Sequence, residues 1–286
     1  MNVLSLFDGM SCGQIALNRL GIKYKNYFAS EIKKSAIKVT QHNYPNTIQL
    51  GDIRNVKGKD LPKIDLILAG SPCQDFSIAN PKGREGLNGE KSSLFFEFYR
   101  LLKECNPKYY LLENVLMNQQ SYINLSDIMK CYPVEICSSK VSAQIRKRLY
   151  WTNIKTKKDF FGFETVDIPQ PDDKNIFFQD IITTGYADKL KSRCLNTKSY
   201  IPSEKSEYIW KRYNTTGMLS LIFDQPNRKG NFRTQNIIEM ERLQTVPEGY
   251  TSVLTTQQAC NVLGDGWTVD VICHIFSFGE WSENGL

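Results

Sequence analysis

A cysteine and a glutamate each follow an apolar run in the first half of the sequence. Cys73 lies on a Ser-Pro-Cys turn after the apolar residues 64–69, and Glu113 ends the apolar residues 109–112. A thiolate is a strong nucleophile, and a turn at the polar end of a strand can support a lowered thiol pKa. A carboxylate at the end of an apolar strand needs a polar partner or a chemical role. The two residues together suggest a cysteine nucleophile assisted by an acid.

Two arginines at alternate positions form the third candidate group. The sequence Gln-Ile-Arg-Lys-Arg at residues 144–148 places Gln144, Arg146 and Arg148 on one face if the chain is extended there. Guanidinium groups can stabilise negative charge that develops on a substrate. A thiol, an acid and arginines at successive strand ends indicate one catalytic site rather than three unrelated features.

A glycine-bearing turn between the first predicted strand and helix indicates a ligand site. Its residues are Phe7, Asp8, Gly9, Met10, Ser11, Cys12 and Gly13. Ligands of open α/β sheets bind at the carboxyl edge of the strands, where Glu31 is placed for ribose hydroxyl groups and Asp52 for an adenine amine. The spacing differs from Gly-x-Gly-x-x-Gly, which favours an adenosyl ligand over a nicotinamide cofactor. A purely structural turn is the alternative.

Short apolar runs alternate with helical patterns over residues 1–150, which is typical of a parallel sheet with crossover helices. Strands are predicted at residues 2–7, 25–30, 64–69, 109–114 and 133–138. Helices are predicted at residues 13–20, 33–43, 95–103, 235–244 and 269–276. The predicted fold class is α/β, a Rossmann-like, doubly wound and mostly parallel sheet with a small irregular lobe.

Three regions are predicted from these patterns. Residues 1–152 form a catalytic and cofactor-binding domain, residues 153–230 form the irregular lobe, and residues 231–286 return to the first domain. The lobe is distinguished by short aromatic and charged pieces that prolines interrupt.

The composition excludes several classes of protein. With 286 residues, 41% of them hydrophobic, the chain can bury a substantial core. No apolar run approaches the roughly 20 residues of a membrane-spanning helix, and the N-terminus lacks a signal-peptide pattern, so a cytoplasmic protein is expected. The eight cysteines include no Cys-x-x-Cys pair, and His42 and His274 have no partner at metal-binding spacing. Free thiols and no catalytic metal are therefore expected.

The net charge of +6 has its origin in one part of the chain. Residues 187–233 contain ten Lys or Arg and four Asp or Glu, so this segment accounts for the whole excess. A surface that binds a polyanion is expected there, and a solvated basic face without a ligand is the alternative.

Seven motifs resemble those of the cytosine-C5 DNA methyltransferase family, in the family's order and over nearly the whole chain. They are residues 7–13, Glu31, Asp52-Ile53, Ser71-Pro72-Cys73-Gln74, Glu113-Asn114-Val115, residues 144–148 and Leu263-Gly264-Asp265-Gly266-Trp267. Residues 148–151 and 266–269 are similar to motifs of the eukaryotic de novo branch, here without its accessory domains. One departure is Asp265, where many family members have asparagine.

The resemblance implies the fold of S-adenosylmethionine-dependent methyltransferases, with S-adenosylmethionine as methyl donor. Phe7 would lie against the adenine, Glu31 would bind the ribose, and Trp267 would close the site. Asp52 and Ile53 would follow the adenine edge. The implied cofactor residues outside the turn at residues 7–13 are Glu31, Ile32, Asp52, Ile53, Pro72, Asp265 and Trp267.

The resemblance also implies a covalent reaction on cytosine. Carbon 5 is a poor nucleophile, so Cys73 would add to carbon 6 and push electron density onto carbon 5. Glu113 would donate to ring nitrogen 3, and Arg148 would hold the exocyclic oxygen, with Arg146 as a further catalytic residue. The cytosine must leave the duplex to be reached. The base that finally removes the carbon-5 proton is not identified by the sequence.

The implied partner is double-stranded DNA, bound through the lobe at residues 153–230. The candidates for phosphate contacts are Lys189, Lys191, Arg193, Lys211, Arg212, Arg228 and Lys229. A prokaryotic or phage origin is expected, and a cognate restriction endonuclease would be a further partner in a restriction-modification system.

Two alternatives to this function stay open. One is an RNA-methylating member of the same family that acts on transfer RNA, since it would share the catalytic residues. The other is an inactive relative that binds DNA as a regulator, which the intact set of Cys73, Glu113 and Arg148 argues against. A generic nucleotide-binding protein would leave these three residues without a reason to meet.

Overall fold

The computed structural model describes residues 1–70 and 92–281. Within these two ranges, no helix is both long and apolar enough to cross a membrane. The strands are β1 (Asn2–Leu6), β2 (Asn26–Ser30), β3 (Ile48–Gln49), β4 (Leu66–Gly70), β5 (Tyr109–Val115), β6 (Val134–Cys137), β7 (Gln144–Ile145), β8 (Lys147–Thr152), β9 (Thr156–Lys158), β10 (Glu164–Val166), β11 (Tyr186–Ala187), β12 (Ser192–Arg193), β13 (Ile222–Gln225) and β14 (Lys229–Arg233). The α-helices are α1 (Cys12–Arg19), α2 (Lys34–Asn43), α3 (Ser92–Cys105), α4 (Gln119–Met129), α5 (Phe178–Ile181), α6 (Ser206–Thr216), α7 (Ile237–Leu243), α8 (Thr256–Asp265) and α9 (Val269–Phe276).

Seven strands form the central sheet, in the order β3-β2-β1-β4-β5-β8-β6. The neighbours from β3 to β5 are parallel, whereas β8 is antiparallel to both β5 and β6. The chain order reverses between β1 and β4. In open α/β sheets such a switch point opens a crevice outside the carboxyl ends of the strands, where ligands bind.

Two apolar clusters cover the two faces of this sheet. Because successive side chains of a strand point to opposite faces, Leu66 and Leu68 of β4 belong to one cluster, and Ile67 and Ala69 belong to the other. Helices α1 and α9 pack together on the first face. Helix α3 covers the second face with Phe95 and further apolar residues at helical spacing. These layers fix the strands whose ends carry the candidate site.

The segment between β8 and α7 contains ordered secondary structure. Strands β9 and β10 form a hairpin, and β11, β13 and β14 form an antiparallel sheet. Ile209 of α6 and Phe223 of β13 share a small apolar cluster. Ile154 and Ile168 belong instead to the large cluster of the central sheet, although they lie within residues 153–230. The three predicted regions stay a prediction.

The α/β class with a mostly parallel sheet is confirmed. The five predicted strands correspond to β1, β2, β4, β5 and β6, and the five predicted helices correspond to α1, α2, α3, α7 and α9. Elements that the sequence patterns did not reveal are β3, β8, α4, α8 and the small elements of the lobe.

Candidate active site

Glu113 and Arg148 form an ion pair at the carboxyl edge of the central sheet. Glu113 of β5 is in register with Gly70, the last residue of β4, and with Tyr150 of β8. The Nε of Arg148 lies 2.8 Å from Oε1 of Glu113, and the two side chains are only 16% and 10% exposed. A buried ion pair contributes little net stability because both charges lose hydration. The pair lies at the sheet edge where ligands of open α/β sheets bind, which makes it a candidate for a chemical role.

Arg146 is buried and directs its guanidinium at backbone carbonyl groups. Nη1 donates to the carbonyl of Leu195 over 2.9 Å, and Nη2 donates to those of Gly266 and Gly264 over 2.8 and 3.3 Å. These contacts join the chain between β7 and β8 to the segment after β12 and to the C-terminal end of α8. A catalytic role for Arg146 stays a prediction. Its hydrogen bonds to backbone carbonyls favour a structural role.

Gln144 shares the buried face with Arg146, while Ile145 between them is exposed. Its amide nitrogen donates to the carbonyl of Leu243 over 2.6 Å, and its amide oxygen accepts from the backbone nitrogen of Leu195 over 3.1 Å. The alternation predicted for residues 144–148 is therefore present. It ties the segment after β12 to the same strand that leads to Arg148.

Cys194 brings a thiol to the two arginines. Its Sγ lies 3.2 Å from Nη1 of Arg146 and 4.0 Å from Nη2 of Arg148. Burial alone would raise the pKa of this thiol, but the charges of Arg146 and Arg148 lower it below its ordinary value. For Cys12, at the start of α1, burial outweighs the charge of Arg146 and the contact with the Trp267 carbonyl, and it raises the pKa of the thiol to about 12.

The turn after β1 has unusual backbone angles at the switch point. Phe7, Gly9 and Ser11 have φ values of 55°, 59° and 64°, in the left-handed region that non-glycine residues seldom adopt. Asp8 accepts hydrogen bonds from Oγ of Ser11 over 2.8 Å and from the hydroxyl of Tyr27 over 3.0 Å. Burial raises the pKa of Asp8 to about 6. Strain of this kind clusters at ligand sites.

Glu31 lies directly after β2 and is bound to this turn. Its Oε2 accepts from the backbone nitrogen of Gly9 over 2.8 Å, and its Oε1 accepts from those of Ile32 and Lys33 at the same distance. The side chain of Ile32 is 69% exposed. An acid and an exposed apolar side chain thus stand together at the carboxyl edge.

Trp267 lies against the end of β4. A Cβ on Gly70 would come within 2.8 Å of Nε1 of Trp267, so glycine is required for this approach. Asp265 forms an ion pair with Lys33 over 2.9 Å, which links the end of α8 to the segment after Glu31.

The remaining predicted site residues differ in what the structure shows of them. Asp52 accepts from the backbone nitrogen of Arg54 over 3.0 Å and pairs with its guanidinium group, and Ile53 is buried. Pro72 and Cys73 lie outside the described residues, so their predicted parts rest on the sequence.

The family model of the C-5 cytosine-specific DNA methylases matches residues 1–218. The chain belongs to this family. The eukaryotic de novo branch, which residues 148–151 and 266–269 resemble, stays a prediction.

Individual relatives of the chain come from phages and bacteria. The orphan methyltransferase M.SPRI of Bacillus phage SPR is 29% identical over 245 residues, which cover 76% of this chain and 55% of that protein. The type II methyltransferase M.NlaIV of Neisseria lactamica is 34% identical over 195 residues, which cover 60% of this chain and 45% of that protein. The chain thus spans about half the length of these relatives.

Solved structures resemble the chain over nearly its whole length. The Dnmt2 methyltransferase of S. pombe has a TM-score of 0.70 at 17% identity and covers 97% of both chains. A DNMT2 mutant of Spodoptera frugiperda has a TM-score of 0.65 at 18% identity, over 97% of this chain and 98% of that chain. These likenesses show the fold of an S-adenosylmethionine-dependent methyltransferase, as predicted.

The basic residues predicted to bind phosphates fall into two groups. The ammonium group of Lys191 donates to the carbonyls of Ser139, Ser142 and Ile176, so it is engaged within the protein. Lys189 pairs with Asp188, the Nη1 of Arg212 donates to the carbonyl of Lys198, and Arg228 donates to the carbonyl of Asp188. The other three, which form no ion pair within the described ranges and are exposed, are Arg193, Lys211 and Lys229.

Sequence reasoning missed Cys194 because nothing in its local sequence distinguishes it. Its neighbours, Arg193 and Leu195, belong to no motif that we recognised, and its partner Arg146 is 48 positions away. The signal arises only when β12 pairs with β7 in parallel.

Proposed function

We propose that this family member is a DNA cytosine-C5 methyltransferase that uses S-adenosylmethionine. The observation that carries the proposal is the buried Glu113–Arg148 ion pair, which lies beside the end of β4 in a chain of the cytosine-specific DNA methylase family. The sequence places Cys73 three residues after Gly70, the residue in register with Glu113.

The crevice around Glu31 fits an adenosyl ligand. The turn directly after β1 has left-handed residues at Phe7, Gly9 and Ser11, and Glu31, which is bound to this turn, offers carboxylate oxygens for ribose hydroxyls. The exposed Ile32 gives an apolar surface that an adenine can cover. When bound, S-adenosylmethionine supplies an electrophilic methyl group. We assign the adenine to Phe7 and Ile32, the ribose to Glu31, and the closing of the crevice to Trp267.

The ion pair at the strand end suits the chemistry of cytosine. The thiolate of Cys73 would form a bond to carbon 6, and the electron pair of the C5–C6 bond would move to carbon 5. Glu113 would first take up a proton from solvent and then supply it to nitrogen 3. Arg148 would hold the exocyclic oxygen and, by its contact with Glu113, keep the acid oriented. After carbon 5 is methylated, loss of its proton restores the double bond, and Cys73 leaves as a thiolate.

Double-stranded DNA is the proposed substrate because the target base has to be brought to buried groups. Glu113 and Arg148 are largely shielded from solvent, so a stacked cytosine cannot reach them without leaving the helix. The exposed basic residues of the lobe, Arg193, Lys211 and Lys229, are placed on the surface for phosphate contacts.

Methylome sequencing of cells that express the chain tests the proposal. We expect 5-methylcytosine at one short recognition sequence in the genome, and none in cells that express Glu113→Gln at the same level. Glu135→Gln is the matched control, because Glu135 pairs with Lys147 on the neighbouring strands but is 45% exposed. Unmodified genomic DNA from cells with folded wild-type protein would contradict the proposal.

A further inference from the structure

We propose that Cys194 is a positioning residue of the methyl-transfer reaction, which orients Arg148 through its sulfur and connects the lobe to the Glu113–Arg148 pair. The inference rests on the proposed function for the reaction that it serves. It concerns a residue outside all seven motifs of the sequence.

The backbone around Cys194 is fixed by the motif that contains the arginines. Ser192 is in parallel register with Gln144, and Arg193 with Ile145, so that Cys194 follows opposite Arg146. On the far side of Cys194, the backbone nitrogen of Leu195 donates to Gln144, and its carbonyl accepts from Arg146. The sulfur therefore has little freedom to move relative to the guanidinium groups.

The sulfur lies between the two guanidinium groups. It is 3.2 Å from Nη1 of Arg146 and 4.0 Å from Nη2 of Arg148, whose Nε contacts Glu113. Nη1 of Arg148 also donates to the carbonyl of Lys147 over 2.8 Å, so the sulfur at Nη2 completes a set of acceptors that restrains the plane of the Arg148 guanidinium from both sides. Its donors are thereby set before a base arrives, which is how preorganised charge accelerates a reaction.

The same segment is attached to the lobe. The backbone nitrogen of Arg193 donates to Oγ of Ser220 over 2.8 Å, just before β13. Displacement of the lobe sheet on DNA would thus move Ser192–Leu195, and with it the acceptor of the two arginines. The sulfur of Cys194 is a contact between this segment and Arg148.

Substitutions that remove or keep the acceptor test the proposal. Cys194→Ala and Cys194→Val lack an acceptor, and we expect their kcat on duplex DNA to fall about tenfold, which is about 1.4 kcal/mol. Cys194→Ser keeps an acceptor and should stay within about threefold of wild type. The KM for S-adenosylmethionine should not change, because Glu31 and the turn after β1 are untouched.

Cys260→Ala is the matched control. Its thiol accepts from the backbone nitrogen of Tyr200 over 3.2 Å and donates to the carbonyl of Asn196 over 3.6 Å, both in the chain segment that follows Cys194. We expect this variant to lose stability without losing kcat. A kcat of Cys194→Ala and Cys194→Val within twofold of wild type would overturn the proposal, as would equal losses in Cys194→Ala and Cys194→Ser.

A second readout does not depend on turnover. The labelling rate of Cys194 by iodoacetamide, followed by mass spectrometry of its peptide, should fall in Arg148→Gln, because loss of the positive charge raises the thiol pKa. An unchanged rate would overturn the contact that the proposal needs. If the labelling rate falls in Arg148→Gln as expected but the wild-type protein methylates no DNA, the proposed function fails while the contact stands.

Discussion

Glu113 keeps a charged partner in a place from which water is largely excluded. Its carboxylate and the guanidinium of Arg148 are both nearly buried, and they meet where β4, β5 and β8 are in register. An apolar pair of the same shape would cost less desolvation. We therefore expect this pair to serve the proposed reaction rather than the fold, so that its removal lowers turnover.

Glu113→Gln should lower kcat by about 10² to 10⁴, because an amide cannot supply a proton to the base. Single-turnover methyl transfer with purified protein measures this loss. Glu135→Gln, at a solvent-exposed ion pair on β6, should keep kcat. Equal kcat in Glu113→Gln and wild type would remove Glu113 from the catalytic machinery.

Asp8 makes stability depend on pH in a direction that can be checked. Its pKa in the folded state is raised to about 6 by burial, so the folded state binds more protons than the unfolded state between about pH 4 and 6. The contribution of Asp8 to stability is therefore present at low pH and is lost as the pH rises through 6.

Urea unfolding of wild type and Asp8→Asn measures this contribution. The difference in unfolding free energy between wild type and variant should fall by on the order of 1 to 3 kcal/mol from pH 4 to pH 7. A difference that is the same at both pH values would show that Asp8 does not titrate in this range.

Helix α8 sets the position of the segment that carries Cys194. Gly264 packs so closely that a Cβ there would lie 2.3 Å from the carbonyl carbon of Asn196 and 2.4 Å from the nitrogen of Thr197. The carbonyls of Gly264, at the end of α8, and of Gly266, just after it, accept hydrogen bonds from Arg146. One helix end thus supports the cofactor crevice and the arginines together.

Gly264→Ala should destabilise the protein by about 1 to 3 kcal/mol, because backbone atoms must move to admit the methyl group. Thermal unfolding measures the change. Gln257→Ala, an exposed position of the same helix, should change stability by less than about 0.5 kcal/mol. If both variants unfold at the same temperature, the packing of α8 against Asn196 is looser than described.

Strong periodicity made some elements predictable and left others hidden. The buried strands β1, β4 and β5 are short apolar runs, so the sequence revealed them. Helix α4 buries only Ser121, Leu125, Ser126 and Met129, a stripe too narrow to stand out. Strand β8 begins with Lys147 and Arg148, whose charges conceal a strand that is held by pairing on both sides.

At the scale of the whole molecule, the positive charge is concentrated in the lobe but is only partly available to DNA. Lys191 is held by three carbonyls of the surrounding structure, whereas Arg193, Lys211 and Lys229 are exposed. The sequence could count these charges. It could not separate the engaged from the exposed ones, because the carbonyl partners come from distant segments.

Removing single charges from the exposed and from the engaged group should affect the salt dependence of DNA binding differently. Each of Arg193→Ala, Lys211→Ala and Lys229→Ala should lower the slope of log K against log salt concentration by about 1, with similar losses on all sequences. Fluorescence anisotropy at several salt concentrations measures the slope. Lys191→Ala should leave the slope unchanged and lower the unfolding temperature; a changed slope there would place Lys191 at the DNA.

The sequence revealed those residues of the candidate site that lie near the ends of predicted strands. Glu113 and Arg148 were singled out as polar residues at the ends of neighbouring strands, and the structure brings them into contact. The part of Cys194 depends on the pairing of β12 with β7, which no local pattern in the sequence encodes. For the same reason, the sequence alone could not show that Arg146 is occupied by the carbonyls of Leu195 and Gly266.

Methyl transfer by the purified chain to two nucleic acids in parallel tests the central claim most directly. Tritiated S-adenosylmethionine is supplied with duplex DNA or with transfer RNA, and the products are digested to nucleosides and identified by mass spectrometry. We predict 5-methyl-2′-deoxycytidine from the DNA, no labelled nucleoside from the transfer RNA, and product formation at least about 100-fold slower from Glu113→Gln. Label in transfer RNA alone, or on a position of DNA other than carbon 5 of cytosine, would contradict the account.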